Sequence, residues 1–201
     1  VSDHATYEIQ PDDALVIVDV QHDFLPGGAL GVAAGERIFD PIDALAPRFA
    51  RVYATRDWHP ADHSSYAQYG GPWPVHCVAG THGAAFDPRL RLENVDRVVD
   101  KGIDRETDGY SAFAATDLAE DLRAHGVRRI FVAGLATDYC VKASALDARA
   151  AGFDVVVIED AAAAVNVEPG DEERALDAIR DAGAAVARSG DITGDARLVR
   201  R

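Results

Sequence analysis

The chain has 201 residues, enough for one domain with a full core, and its 48% hydrophobic content includes no apolar run near the roughly 18 residues of a membrane span. A formal net charge of -14 would repel nucleic acid and anionic membrane, so neither is an expected partner. Two cysteines are too few for a disulfide scaffold in a chain this size and suit a reducing cytoplasm.

The N-terminal stretch VSDHATYEIQ is polar and has no basic region leading into an apolar one, so it does not read as a signal peptide. Acidic residues are mostly aspartate, and of 20 lysines plus arginines only Lys101 and Lys142 are lysine. That balance resembles proteins of salt-loving organisms, where salt screens the self-repulsion of surface carboxylates. A high-GC genome would also favour arginine.

In chain order, ALVIVD (14–19) predicts the first strand and residues 37–49 a helix; RVYATRD (51–57) predicts the second strand. DRVVDK (96–101) follows as a strand, then a helix over 115–125, a strand RRIFVAGL (128–135), a helix over 139–151, a strand FDVVVIED (153–160), a helix over 171–182 and a weaker strand GAAVARS (183–189). Near-continuous Val and Ile runs describe strands covered on both faces. The expected architecture is a three-layer α/β/α sandwich around a mostly parallel sheet of about six strands, one domain spanning 1–201. Only the connection from Asp57 to Asn94 is too long for a plain link. Its two tryptophans and four histidines mark it as a functional loop.

Parallel sheets bind ligands at the carboxyl ends of their strands, and four such ends carry Asp19, Asp57, Lys101 and Cys140. Cys140, in AGLATDYCVKAS, is expected in the first turn of a helix, where free backbone N–H groups and the helix dipole favour a thiolate and could also hold an oxyanion. Cys77, in WPVHCVAG, reads as a small buried apolar residue. Asp19 closes a central strand, where burial raises a carboxyl pKa and a nearby cation lowers it, which suits a group that takes and returns a proton. Lys101 stands where this chain would ordinarily write arginine: taken alone it reads as one leftover solvated charge, and the other reading is a compact ammonium whose pKa burial can lower, as catalytic lysines use.

In the long loop, Asp57 and His59 are two residues apart in extended backbone and point to one side, with His63 and His76 following. A mixed Asp and His set suits a divalent transition metal, zinc, iron or manganese, over calcium or magnesium. His4, His22, His82 and His125 have no such company and read as surface residues.

The motifs VDVQHDF, RDWHPADH, WPVHC, DKG and ATDYCV, in this order and spacing, resemble the nicotinamidases of the isochorismatase-like cysteine hydrolases from about Leu15 to Glu159. The resemblance implies an amidase that splits nicotinamide into nicotinate and ammonia through a cysteine thioester, with Asp19, Lys101 and Cys140 as the triad. It further implies Asp57, His59 and His76 as metal ligands with His63 as a fourth ligand or the holder of a metal-bound water. The Leu135–Ala136 peptide would be cis, Ala136 and Cys140 would supply the oxyanion N–H groups, and Phe24, Trp73 and Tyr110 would line the ring pocket. Some relatives carry histidine where Tyr139 stands. A relative acting on isochorismate, or on another small carboxamide or carbamoyl compound, is the alternative within the family, and a homo-oligomer fits either. Outside the family stand a metal hydrolase whose nucleophile is bound water and a nucleotide-binding module; VQHDFLPGG after the first strand offers no G-x-G-x-x-G turn for the latter.

Overall fold

The computed structural model describes residues 5–197, and His4 with the start of the N-terminal stretch lies outside them. The main sheet contains β2 (Asp13–Val18), β3 (Val52–Asp57), β4 (Arg97–Lys101), β5 (Arg129–Leu135), β6 (Asp154–Ala163) and β7 (Ala185–Ala187). All six are parallel, in the order β4-β3-β2-β5-β6-β7. β1 (Tyr7–Glu8) and β8 (Ile192–Thr193), which the sequence does not announce, form a separate two-residue parallel pair that joins the two ends of the described chain.

The period of two along each strand divides the core. Leu15 and Ile17 of β2, Phe131 and Ala133 of β5 and Val156 and Ile158 of β6 pack with Phe39, Ile42 and Leu45 of α1 (Phe39–Leu45). The alternate residues, Val16, Val18, Ile130, Val132, Val155 and Val157, pack with α2 (Leu118–Ala124), α3 (Lys142–Ala150) and α4 (Asp171–Asp181). Helices therefore cover both faces, as the apolar strands require.

Three predicted helices are shorter than their patterns. The one over 37–49 is a seven-residue α-helix between 3-10 turns at Gly35–Ile38 and Ala46–Arg48, because Pro47 has no N–H to donate and its ring blocks an α-helical continuation. The helix expected from 115 begins at Leu118, since Ala115 lies at φ +53, outside helical space. The one expected from 139 starts as a π-helical turn, Thr137–Val141, which runs into α3. Strand β6 extends past its predicted end to Ala163, beyond a register shift opposite Val132 and Gly134.

Asp19 follows β2 and the Cys140 turn follows β5, and these neighbouring strands are where the sheet order reverses. Connections from β2 and β5 leave in opposite directions there and open a crevice at the carboxyl edge. The strands meet tightly at this point. Gly134 pairs with Val18 at φ +112, and a Cβ on it would lie 2.1 Å from the Val18 carbonyl oxygen. No helix among the described residues is long and apolar enough to cross a membrane.

Gly134→Ala should therefore destabilise the fold by roughly 2–4 kcal/mol, the sum of a strained positive φ and an overpacked backbone contact. Urea unfolding of the variant checks this; an unchanged midpoint would show that β2 and β5 separate at little cost.

Candidate active site

The carboxyl edge of the sheet brings four side chains from four strands to one buried point. Asp19 comes directly after β2, Asp57 ends β3, Lys101 ends β4, and Cys140 lies in the turn after β5. The Lys101 ammonium is 2.7 Å from Asp19 Oδ2, 2.5 Å from Asp57 Oδ1 and 3.6 Å from Cys140 Sγ, and it donates to the Gly109 carbonyl at 2.5 Å. Lys101 is 1% exposed, which rules out the reading of a leftover surface charge. Its ammonium donates to Asp57 Oδ1, the Gly109 carbonyl and Cys140 Sγ and is ion-paired with Asp19 Oδ2, partners on several sides that suit a compact three-donor cation.

The two aspartates differ despite sharing this cation. Burial pushes the Asp19 carboxyl up, Lys101 opposes the rise and the Asp57 charge adds to it, leaving Asp19 raised to about 6. Burial also acts to raise Asp57, but Lys101 and the His59 ring together outweigh it and hold Asp57 at about 2. Asp19 Oδ1 accepts from Thr55 Oγ1 at 2.7 Å, while Oδ2 is held only by its ion pair with Lys101 at 2.7 Å. Oδ2 is thus the oxygen left to take a proton.

Cys140 departs from the expectation of a helix-stabilised thiolate. It is 6% exposed, and burial pushes its thiol well above the ordinary value, with Lys101 lowering it and Asp19 raising it further. Asp19 is a base within reach of it: Sγ and an Asp19 carboxylate oxygen lie within 4.8 Å. The Leu135–Ala136 peptide is cis, as expected. Cys77 is buried, and desolvation pushes its thiol far up, so it is inert.

Next to this cluster, Asp57, His59 and His76 each present a ligand atom within 4.8 Å of the others, all three buried. His59 Nδ1 pairs with the Gly102 carbonyl and His76 Nδ1 with the Pro74 carbonyl, each at 2.8 Å, which leaves Nε2 of both rings as the free ligand atom. Burial holds His76 below its ordinary pKa, in the neutral form a metal needs. Asp57 offers Oδ2, which is 3.3 Å from His59 Nε2. This donor set fits a divalent transition metal. His63 stacks on His59 at 4.0 Å, but its two ring nitrogens pair with Ser65 Oγ and the Thr107 carbonyl, both at 2.7 Å, so its lone pair is engaged elsewhere. His125 is exposed, and His22 and His82 stack on each other at the surface, apart from the site.

A cavity of about 260 Å³ opens onto Cys140, Asp57 and His76, walled by Phe24, Trp73, Tyr110 and Tyr139 among others. Trp73 Nε1 donates to Tyr110 Oη at 2.8 Å, and Tyr139 stands edge-on to Trp73 at 5.2 Å. Phe24, Trp73 and Tyr110 are the wall residues that the family resemblance implies; Tyr139 completes the aromatic wall.

Sequence reasoning passed over the residues that hold these groups still. Gln21 is fully buried; its amide donates to the Asp57 and Ala84 carbonyls and accepts from the Asp57 N–H at 2.8 Å. Asp138 accepts the N–H groups of Val165 and Asn166 at 2.9 Å, fastening the Cys140 turn to the segment after β6. Gly102 is required at φ +60, since a Cβ would lie 2.4 Å from His59 Cε1. The available signal was position: Gln21 and Gly102 sit inside VDVQHDF and DKG, and Asp138 inside ATDYCV.

Comparison with known proteins agrees with this geometry. The Isochorismatase domain matches residues 13–191. Escherichia coli (strain K12) nicotinamidase is 38% identical, over 88% of this chain and 94% of its own length. The nicotinate complex of PnC1 from L. infantum superposes with a TM-score of 0.89 at 40% identity, covering 94% of this chain and 98% of that one. The zinc complex of the Pyrococcus horikoshii pyrazinamidase gives 0.83 at 43%, covering 89% and 99%. A triad-like cluster at the switch point, an adjacent Asp and His set and these similarities together place the chain in the isochorismatase family.

Proposed function

We propose that this protein is a nicotinamidase, hydrolysing nicotinamide to nicotinate and ammonia. The observation that carries the reading is the meeting of a buried Asp19, Lys101 and Cys140 cluster with a small aromatic-walled cavity, beside a transition-metal donor set. The similarity to nicotinamidases over most of the chain supports the substrate.

Asp19 takes the thiol proton on Oδ2 as Cys140 Sγ attacks the carboxamide carbon. At neutral pH a carboxyl at about 6 is ionised and still basic enough for that transfer. Charge develops on the carbonyl oxygen, where the N–H groups of Ala136 and Cys140 receive it. Asp19 returns the proton to the departing nitrogen, ammonia leaves, and a thioester remains. A water then loses a proton to Asp19 and adds to the thioester carbon; the C–S bond breaks, the carboxylate product departs and the proton goes back to sulfur. Lys101 carries the compensating charge throughout. Phe24, Trp73, Tyr110 and Tyr139 hold the ring flat and exclude water. A divalent transition metal, zinc first with iron or manganese as alternatives, would be held by Asp57, His59 and His76 and would supply a Lewis acid for the ring nitrogen. The carboxylate-rich surface fits work in concentrated salt, and the two free cysteines fit a reducing cytoplasm.

Ammonia release from nicotinamide by the purified enzyme tests the reading. Cys140→Ala should abolish it and Cys77→Ala should keep most of it; equal losses would exclude the thiol mechanism. Chelation should chiefly raise KM for nicotinamide and should affect benzamide, which has no ring nitrogen, much less. Unchanged nicotinamide binding after metal removal would leave the loop a purely structural role. Lys101→Arg should lower kcat by about 10²-fold or more, because a guanidinium cannot occupy a point within 2.7 Å of three oxygens. Near-native turnover of that variant would show that only the charge matters.

A further inference from the structure

The point occupied by the Lys101 ammonium has the surroundings of a metal site. Asp19, Asp57 and Cys140 each direct a ligand atom towards it, all within 4.8 Å of one another and all buried. The Gly109 carbonyl supplies a fourth donor at 2.5 Å from Nζ. Two carboxylates, a carbonyl and a thiol form a set that thiophilic divalent cations such as zinc or cadmium bind well. Asp19 Oδ2, from a fully buried carboxylate, faces the same point, and its partner there is the Lys101 ammonium at 2.7 Å. Asp57 turns Oδ1 to Lys101 and Oδ2 towards His59, so it has one oxygen for each of two adjoining cation positions. Carboxylates disposed in this way bridge paired metals.

We propose that Lys101 is a tethered cation that closes a latent second metal site formed by Asp19, Asp57 and Cys140, and so keeps metal off the thiol. The pressure for such a device comes from the neighbourhood. A metal-binding loop must keep a transition ion beside a cysteine, and the thiolate is itself a strong ligand for such ions. A metal on Asp19 and Cys140 would occupy the oxygen that takes the proton and the lone pair that attacks. An ammonium supplies positive charge through hydrogen bonds alone, leaves the sulfur uncoordinated and cannot exchange with free metal. Arginine would also repel metal, but its planar fork does not fit a point with donors on several sides. This also answers why one of the chain's two lysines stands here.

The inference rests on the metal reading of Asp57, His59 and His76 for its motive and for the baseline count, and cadmium titration separates the two. Wild-type protein should bind one Cd²⁺ per chain without a sulfur-to-cadmium charge-transfer band, and Lys101→Ala should bind one more, with that band. The extra ion and the band should both vanish in the double variant Lys101→Ala, Cys140→Ala. In Lys101→Ala, Cd²⁺ should slow alkylation of Cys140 by about tenfold or more, the protection expected from a ligand well above its Kd, while wild type is little affected. Should Lys101→Ala be unfolded without metal, Cd²⁺ should restore its circular dichroism and fail to do so in the double variant. Equal cadmium counts in wild type and Lys101→Ala, or a thiolate band in wild type, would overturn the proposal. A wild-type count of zero with one ion in Lys101→Ala would overturn the first site alone.

Discussion

The buried ammonium of Lys101 is the charge around which the carboxyl edge of the sheet is arranged. Two carboxylates, a carbonyl and a thiol surround it, and Lys101 and Asp19 are closed to solvent. Removing an ion from water is costly, and it is offset here by direct partners on several sides. Taking away one member of such a buried set typically costs about 3–5 kcal/mol, because the others are left uncompensated. Strands β2, β3, β4 and the turn after β5 must therefore end at the same level. The tight contact between Gly134 and Val18 keeps two of them there.

One cation serves two aspartates with opposite results, and that difference divides their roles. Asp57 has both Lys101 and His59 beside it and stays ionised, as a metal ligand must. Asp19 has Lys101 and a neutral hydroxyl from Thr55, and burial prevails, giving a carboxyl that can exchange a proton near neutral pH. Neighbouring carboxyls whose environments push them apart are a physical basis for assigning a base and a bystander. The upward push on the Cys140 thiol belongs to the same arrangement: burial raises it and the Lys101 ammonium beside it opposes the rise.

The long connection between β3 and β4 is irregular yet firmly held. His59 exchanges backbone hydrogen bonds with Cys77 and Ala79, Tyr66 is fully buried and donates to the His76 carbonyl, and Asp23 accepts the Cys77 N–H. These bonds do for the loop what a ladder does for a strand, and they point His59 and His76 at Asp57 before any ligand arrives. Gln21 extends the same logic, pairing with both backbone groups of Asp57 as an adjoining strand would.

Strand positions, layer architecture and the residues at strand ends were legible in the sequence, because they depend on local periodicity and on the rule that parallel sheets present chemistry at one edge. The motifs around Asp19, Asp57, Lys101 and Cys140 carried the family resemblance for the same reason. Helix ends were misjudged where one residue overrode the pattern, Pro47 in one case and the positive φ of Ala115 in another. The upward push of burial on the Cys140 thiol was not legible, because a helix-start argument contains no burial, and burial exists only once the chain has packed around the turn. Likewise, His63 has the spacing of a ligand, but Thr107, 44 residues away, takes its ring nitrogen. The sequence by itself determined which groups are present and which strand delivers each. Only the tertiary structure decided their charges and their partners, because desolvation and contacts between distant segments are properties of the packed molecule.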